Sequence, residues 1–188
     1  MMSTRARGFT LIELLVVVAI IGLLAAILVP TIINALGAAD SAEAETQLNN
    51  ITQALETVKK EQISEGNIRK RQGQYPESTG DEPFDTRFVV QAFTIANVFE
   101  FKDGGTEEVP GTEEFERFID PWGQYWRYRR WQGERDKQDA YNPDTFDLWS
   151  IGENGLPFDE EEDIEEVDDI RNWSDKDQRD RDRNRAGT

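Results

Sequence analysis

Carboxylates are the only side chains of this sequence whose number and spacing suggest specific chemistry. The chain of 188 residues carries 38 acidic and 21 basic residues, a formal net charge of -17, and contains neither His nor Cys. Catalysis by Ser-His-Asp or Cys-His groups, zinc sites built from His or Cys, and disulfides are therefore excluded. A strongly acidic surface repels phosphates, so we expect no nucleic-acid partner. Nothing in the sequence fixes two acids across a cleft, so we do not expect an enzyme.

One carboxylate, that of Glu13, lies near the start of an otherwise apolar run that extends to Pro30. A charge at bilayer depth costs about 2.5–3.5 kcal/mol on insertion scales, and a plain membrane anchor gains nothing from it. The run is long enough to cross a bilayer, which takes about 20 residues. Arg5 and Arg7 precede the run, and the acidic residues other than Glu13 follow it. This asymmetry predicts a single crossing, with the bulk of the chain outside the cytoplasm.

The position of a cleavage site distinguishes a removable signal peptide from a retained helix. A secretory signal peptide carries small residues at a cleavage site after its apolar run. In this sequence Ala25 and Ala26 lie inside the run, and no clean site follows it. A cut before the run, between Gly8 and Phe9, would leave the apolar helix on the mature protein.

Helix-forming residues continue past the apolar run and predict one long helix from about residue 10 to residue 64. Pro30 is expected to kink or locally unwind this helix, because proline lacks a backbone N–H and clashes with the preceding turn. In the second half, apolar residues recur at spacings of three and four, so they share one face of the helix. These residues are Leu48, Ile51, Leu55 and Val58. We expect this face to pack on a soluble domain.

The sequence after the long helix predicts a short helix and a pair of strands. Residues 86–101 suit an amphipathic helix, while residues 125–130 alternate in character and residues 144–152 form a second strand bounded by turn residues. The two strands are expected to pair antiparallel. The tryptophans in and beside these strands belong to the core or, alternatively, line a sugar-binding groove. The predicted fold class is α+β, with one long N-terminal helix packed on a small antiparallel sheet.

The segment from Arg7 to Pro30 resembles the class III signal of type IV pilins and type II secretion pseudopilins. The resemblance implies a pilin-like fold and a prepilin peptidase that cleaves after Gly8 and methylates the new amino terminus on Phe9. It also implies that Glu13, the fifth mature residue, pairs with the free amino terminus of a neighbouring subunit in a filament. Burying two such charges is tolerable when they are matched.

Three shorter motifs further along the chain are similar to stretches of the major pseudopilins of type II secretion systems. They are DPWGQYWRY at residues 120–128, YNPDTFDLWSIGENG at residues 141–155 and DDIRNW at residues 168–173. The motifs follow the order of that family. The absence of Cys agrees with this branch, because many type IVa pilins close their C-terminal loop with a disulfide.

These features divide the chain into five segments. The first two are a cleaved leader at residues 1–8 and a hydrophobic transmembrane and filament-core helix at 9–37. The amphipathic half of the helix follows at 38–66, then a globular pseudopilin domain at 67–173 that contains an acidic loop at 152–173. The last segment, 174–188, alternates charges and lacks a core-forming composition, so we expect it to be disordered.

The acidic loop is the candidate metal site. Between Glu153 and Asp169 it holds ten carboxylates and no basic residue, and such a concentration of unpaired charge is unfavourable. Ca²⁺ would resolve the repulsion because it binds six to eight oxygen ligands; the alternative is a solvated loop without a specific metal. The family resemblance implies Ca²⁺ in this loop. By motif, the implied ligands are Leu148 through its carbonyl, Ser150, Asn154, Asp168 and Asp169.

Two departures from the family pattern affect this ligand assignment. Asn154 stands where the family commonly has Asp, and an amide oxygen brings no charge. About seven residues also appear to be inserted before Asp168, so that Glu162 and Asp163 compete with Asp168 and Asp169 for the place of the motif. We favour the later pair because the closing Asn-Trp of the motif follows it.

The resemblance implies a structural role in protein export. The subunit would be a single-pass protein of the bacterial inner membrane, with its C-terminal domain in the periplasm. It would polymerise with copies of itself, and its further partners would be minor pseudopilins, prepilin peptidase and an inner-membrane assembly platform. The alternatives are a type IV pilus pilin serving adhesion, motility or DNA uptake, and a monomeric membrane-tethered binding domain.

Overall fold

The computed structural model describes residues 9–65, 68–78, 86–99, 105–109, 115–130, 141–155 and 170–174. The chain divides into two compact units, Met1–Asp40 and Ser41–Thr188. Helix α1, Leu11–Lys59, contributes to both units. The long apolar helix and the small antiparallel sheets described below agree with the α+β, pilin-like fold expected from the sequence.

In the first unit, α1 is an apolar helix whose side chains are exposed. Its most apolar stretch has a mean hydropathy of 3.1, and the helix is long and apolar enough to cross a membrane. The helical backbone continues through Pro30, so the local unwinding considered for this position is not found. Beside the proline, the hydroxyl of Thr31 donates a hydrogen bond of 2.7 Å to the carbonyl of Leu28.

In the second unit, α1 contributes one apolar face to the core. Its buried residues are Ala44, Ile51, Ala54, Leu55 and Val58. The face expected from the spacing of apolar residues is therefore confirmed, with Leu48 partly buried against the same core. The helix ends at Lys59 and does not extend to residue 64.

The C-terminal end of α1 is capped by a buried lysine. Strand β1, Ile63–Glu65, pairs antiparallel with β2, Ile68–Lys70. The pairing brings the Lys70 ammonium to the end of the helix, where it donates to the carbonyl of Lys59 at 3.2 Å and also to that of Glu61, two residues beyond the helix. A cation at this position complements the negative end of the helix dipole and satisfies carbonyls that have no partner within the helix.

Two further antiparallel pairs form the sheet region. They are β3, Thr106–Glu108, with β4, Glu116–Phe118, and β5, Arg127–Arg130, with β6, Phe146–Trp149. Single bridges join Ile119 to Tyr125 and Trp149 to Arg171, so the pairing extends from β4 toward β5 and beyond β6. The antiparallel pair expected from residues 125–130 and 144–152 is confirmed.

The core of the second unit lies between the sheet pairs and the two helices. Helix α2, Arg87–Ala96, is the amphipathic helix expected in this region and packs against β4. Trp126 is fully buried, and its Nε1 donates to Oε1 of Gln47 on α1 at 2.9 Å. Trp173 is also buried, so both residues support the core role expected for tryptophans. Trp131 lies outside the described residues.

Candidate functional sites

The carboxylate of Glu13 is bound by the N-terminus of its own helix. Its Oε2 accepts hydrogen bonds from the backbone nitrogen of Thr10 at 2.8 Å and from the Thr10 hydroxyl at 2.7 Å. The backbone nitrogen of Glu13 donates back to the same hydroxyl at 3.3 Å. This reciprocal pattern is a capping box, and it places a negative charge at the positive end of the helix dipole. The Thr-x-x-Glu spacing is its sequence signature, but the sequence analysis did not use it.

An extensive apolar surface surrounds this acid. Between Phe9 and Leu36, 18 large hydrophobic side chains are exposed, and Phe9 itself is 79% exposed. Glu13 lines a surface hollow together with four apolar residues, Phe9, Ile12, Val16 and Val17. An exposed apolar surface of this kind requires lipid or other apolar helices to cover it. Gly8, the other residue of the expected processing site, lies outside the described residues.

Leu148 and Ser150 lie beside the C-terminal segment of the protein. The carbonyl of Leu148 accepts a hydrogen bond of 3.1 Å from the backbone nitrogen of Asn172, and the backbone nitrogen of Ser150 donates to the carbonyl of Ile170 at 2.9 Å. Asn154 is exposed in the turn that follows β6.

The other acids of the expected metal site, Asp168 and Asp169, lie outside the described residues, as do the competing Glu162 and Asp163. Within the ranges that the structure describes, no three Asp or Glu side chains cluster as metal ligands would.

A buried carboxylate joins the turn between β4 and β5 to the segment after β6. Oδ1 of Asp120 accepts from the backbone nitrogens of Trp122 at 3.0 Å and Gln124 at 2.7 Å. Its Oδ2 accepts from the hydroxyl of Ser150, which in turn accepts from the backbone nitrogen of Gly152 at 3.1 Å. Burial raises the pKa of the Asp120 carboxyl, while its hydrogen bonds with Ser150 and the turn backbone oppose that rise.

The side-chain amide of Asn172 fastens the C-terminal segment to β6. Its Nδ2 donates to the carbonyl of Phe146 at 3.0 Å, and its Oδ1 accepts from the backbone nitrogen of Leu148 at 2.9 Å. The adjacent Trp173 stacks on Tyr141 with ring centroids 4.2 Å apart. These two bonds add to the backbone pairing of residues 170–172 with the end of β6, so this segment lies against the sheet edge. The sequence predicted Asn172 only as part of a motif, because this role depends on a contact with β6 that has no local signature.

Two comparisons with known proteins found matches to parts of the chain. Residues 3–29 match the prokaryotic N-terminal methylation motif, a range that includes Gly8, Phe9 and Glu13. The type IV major pilin protein PilA of Myxococcus xanthus (strain DK1622) is 49% identical over 63 residues. These similarities support the type IV pilin and pseudopilin superfamily. The match spans 34% of this chain and 27% of that pilin, and no solved structure matches the chain.

The similarity to this superfamily gives the N-terminal unit a consistent interpretation. The matched motif and the apolar helix fit a protein anchored in a membrane. The capping box holds Glu13 at the first turn of that helix, and both bonds from Thr10 end on the same carboxylate oxygen, Oε2. A carboxylate oxygen has lone pairs for more than one donor, so Oε1 can accept from a further group.

The residues near the acidic loop offer oxygen donors of the kind that a hard cation prefers. The Leu148 carbonyl accepts one backbone hydrogen bond, and a carbonyl oxygen has a second lone pair. Asn154 has an amide oxygen, and Ser150 has a buried hydroxyl that bonds with Asp120 and Gly152 and keeps one lone pair. Oxygens of both kinds are Ca²⁺ ligands in proteins. The donor chemistry of the described residues therefore fits Ca²⁺.

Proposed function

We propose that this protein is a structural, non-enzymatic subunit of a type II secretion pseudopilus. The observation that carries the proposal is the N-terminal unit, in which a capped carboxylate at Glu13 opens an exposed apolar helix within a matched methylation motif. Prepilin peptidase cleaves between Gly8 and Phe9 and methylates Phe9. The mature subunit lies in the bacterial inner membrane with its C-terminal domain in the periplasm.

The first step of assembly is the pairing of charges between two copies. Cleavage creates an ammonium group on Phe9, and this group approaches Oε1 of Glu13 on a neighbouring copy. The Oε2 atom remains bound to Thr10, so the carboxylate is oriented before the partner arrives. The attraction between the charges is strong because the surrounding apolar helices exclude water. An uncleaved chain lacks the ammonium on Phe9, so processing controls assembly.

The second requirement of assembly is a replacement for the lipid around the helix. Lipid tails are as apolar as the exposed side chains between Phe9 and Leu36, so helices associate through close packing and polar pairs. Other copies of this chain, together with minor pseudopilins, supply the packing surface. An inner-membrane assembly platform supplies the work that moves each subunit from the membrane into the filament.

We also propose that the acidic loop binds Ca²⁺ through Asp168 and Asp169, the Leu148 carbonyl, Ser150 and Asn154. Two backbone hydrogen bonds hold Leu148 and Ser150 against Asn172 and Ile170. One side of the proposed site is therefore ordered by the sheet. The cation offsets part of the formal charge of -17, whose repetition along a filament would otherwise oppose assembly.

The second candidate function is that of a type IV pilus pilin. It is favoured by the similarity to the major pilin of Myxococcus xanthus over 63 residues. The three motifs between residues 120 and 173 favour the pseudopilin because they are similar to stretches of major pseudopilins.

Deletion of the gene in the native host, with plasmid complementation, separates these functions. The pseudopilus proposal predicts that exported proteins accumulate in the periplasm while surface pili persist. Loss of surface pili with normal export would contradict it and support the pilin. If export and surface pili both stayed normal, a monomeric membrane-tethered binding domain would account for the protein better.

A further inference from the structure

We infer that Asn154 is a site of spontaneous deamidation, which converts its side-chain amide into a carboxylate. Asn154 is exposed, and it is the only asparagine of the chain that is followed by glycine. Asparagine is among the thermally labile residues because a neighbouring backbone nitrogen can attack its side chain. Glycine at the following position makes that attack easiest, since it brings no side chain to shield the nitrogen.

The backbone at Gly155 favours glycine, and the amide nitrogen of this partly exposed residue donates to none of the described residues. Gly155 has a φ of +71°, in the left-handed region that favours glycine. A Cβ atom at this position would make an ordinary contact of 3.4 Å with Nε2 of Gln124, so the preference for glycine comes from φ. The residue that makes Asn154 reactive is thus also the one that the turn favours.

The reaction consumes one water and releases one ammonia without any change of oxidation state. The Gly155 nitrogen gives its proton to solvent and attacks Cγ of Asn154, forming a carbon–nitrogen bond. The side-chain nitrogen leaves as ammonia, and a five-membered succinimide ring remains. Water then adds to one of the two ring carbonyls and breaks its bond to nitrogen. The product is aspartate or isoaspartate, according to which bond breaks.

Other asparagines of the same region are protected by their surroundings. Asn142 is followed by Pro143, whose nitrogen has no proton and cannot attack. Asn172 is followed by a tryptophan, and both ends of its side-chain amide are held by hydrogen bonds to β6. Deamidation is therefore expected to be selective for Asn154.

The reaction has a consequence for the acidic loop, which rests on the proposed Ca²⁺ site. It adds one negative charge, so the formal net charge changes from -17 to -18. The new carboxylate lies at a proposed ligand position that otherwise offers a neutral amide. Since Ca²⁺ affinity depends on the number of charged ligands, we expect an aged subunit to bind the cation more tightly than a new one.

Mass spectrometry of the full chain tests the reaction independently of any cation. The purified protein is incubated in detergent at mildly alkaline pH, with a sample at acidic pH as the starting point. Trypsin releases one peptide, Gln138 to Arg171, that contains both Asn142 and Asn154. We expect progressive loss of the amide and formation of isoaspartate at Asn154, with Asn142 retained and no corresponding loss in Asn154→Gln. An Asn154 amide as long-lived as that of Asn142 would overturn the inference.

A second measurement tests the consequence for cation binding. Thermal unfolding of freshly prepared protein and of Asn154→Asp is followed while Ca²⁺ is added. We expect the aspartate variant to respond at lower Ca²⁺ concentration than the fresh protein. Identical responses would contradict the ligand role of residue 154 without affecting the mass result. If neither protein responded, the proposed Ca²⁺ site itself would be contradicted.

Discussion

The hydroxyl of Ser150 donates a hydrogen bond to the carboxylate of Asp120, and both side chains are buried. The two residues are 30 positions apart in the sequence. The bond joins the end of β6 to the turn between β4 and β5. The Ser150 hydroxyl also accepts from the backbone nitrogen of Gly152, so a hydrogen bond holds the first residue of the acidic loop.

Replacement of Ser150 by alanine tests this connection. It removes one donor from a buried carboxylate and the acceptor of the Gly152 nitrogen, so we expect the free energy of unfolding to fall by about 1–3 kcal/mol. Urea unfolding of the full chain in detergent measures the change. Ser64→Ala, at an exposed position of β1, is the matched control, and we expect it to stay within about 0.5 kcal/mol of the unmodified protein. Equal values for the two variants would contradict the role of Ser150.

Replacement of Asn172 by alanine tests the attachment of the C-terminal segment. The Leu148 nitrogen then loses its acceptor, so we expect faster hydrogen exchange in β6 and a loss of about 1–3 kcal/mol in unfolding free energy. Hydrogen-exchange mass spectrometry of the peptides that cover β6 measures the effect. Asn50→Ala, on an exposed part of α1, is the control and should leave exchange in β6 unchanged. Unchanged exchange in Asn172→Ala would show that the segment is held by other contacts.

The buried hydroxyl of Tyr128 predicts a dependence of stability on alkaline pH. It donates to the carbonyl of Pro76 at 2.8 Å, and burial raises the pKa of this phenol. The folded state therefore keeps the proton longer than the unfolded chain, so stability falls as pH rises through the unfolded value of about 10. Tyr128→Phe lacks the phenol hydroxyl, so the Pro76 carbonyl loses this hydrogen-bond donor. We expect the variant to be less stable by about 1–3 kcal/mol at neutral pH, with a smaller deficit above pH ~10.

Urea unfolding at a series of pH values measures that deficit. Tyr125→Phe, which removes a phenol hydroxyl at a partly buried position, serves as the control for the substitution itself. A Tyr128→Phe deficit that stayed constant from neutral pH to pH ~11 would contradict the assignment.

Addition of Ca²⁺ tests the proposed site in the acidic loop. A ligand that binds only the folded state at about 100 times its Kd stabilises that state by about 2.7 kcal/mol. We expect Ca²⁺ to raise the melting temperature of the full chain and a chelator to reverse the effect. The combined changes Asp168→Ala and Asp169→Ala should abolish the shift, whereas Glu43→Ala with Glu45→Ala, on exposed α1, should preserve it. Equal melting curves with Ca²⁺ and with chelator would end the proposal.

Local sequence patterns predicted the two helices and the pair of β5 with β6, but not the short strands β1 to β4 or the contacts that end and join the elements. The spacing of Ile51, Leu55 and Val58 was sufficient to predict a buried helix face, because helical periodicity depends only on neighbours in sequence. The end of α1 was predicted too late, because the chain leaves the helix after Lys59 to pair β1 with β2, which brings Lys70 to the Lys59 carbonyl. A contact of this kind depends on the folded arrangement and has no local signature.

The candidate sites show the same difference between contacts local in sequence and contacts between distant residues. The capping box of Thr10 and Glu13 spans three residues and was readable in the sequence. The hydrogen bond between Asp120 and Ser150 was not, since it joins two separate strand ends. At Pro30 the helix lacks one backbone donor but continues, so the local unwinding expected from the proline is not found.

Cross-linking of neighbouring subunits in native membranes tests the assembly role of Glu13 most directly. Host cells produce the unmodified protein, Glu13→Ala or the control Glu45→Ala, and the cross-linked products are separated by size. We predict a ladder of polymers for the unmodified protein and for Glu45→Ala, and monomers alone for Glu13→Ala at equal membrane abundance. A full ladder from Glu13→Ala would contradict the pairing of this carboxylate with the amino terminus of a neighbouring subunit.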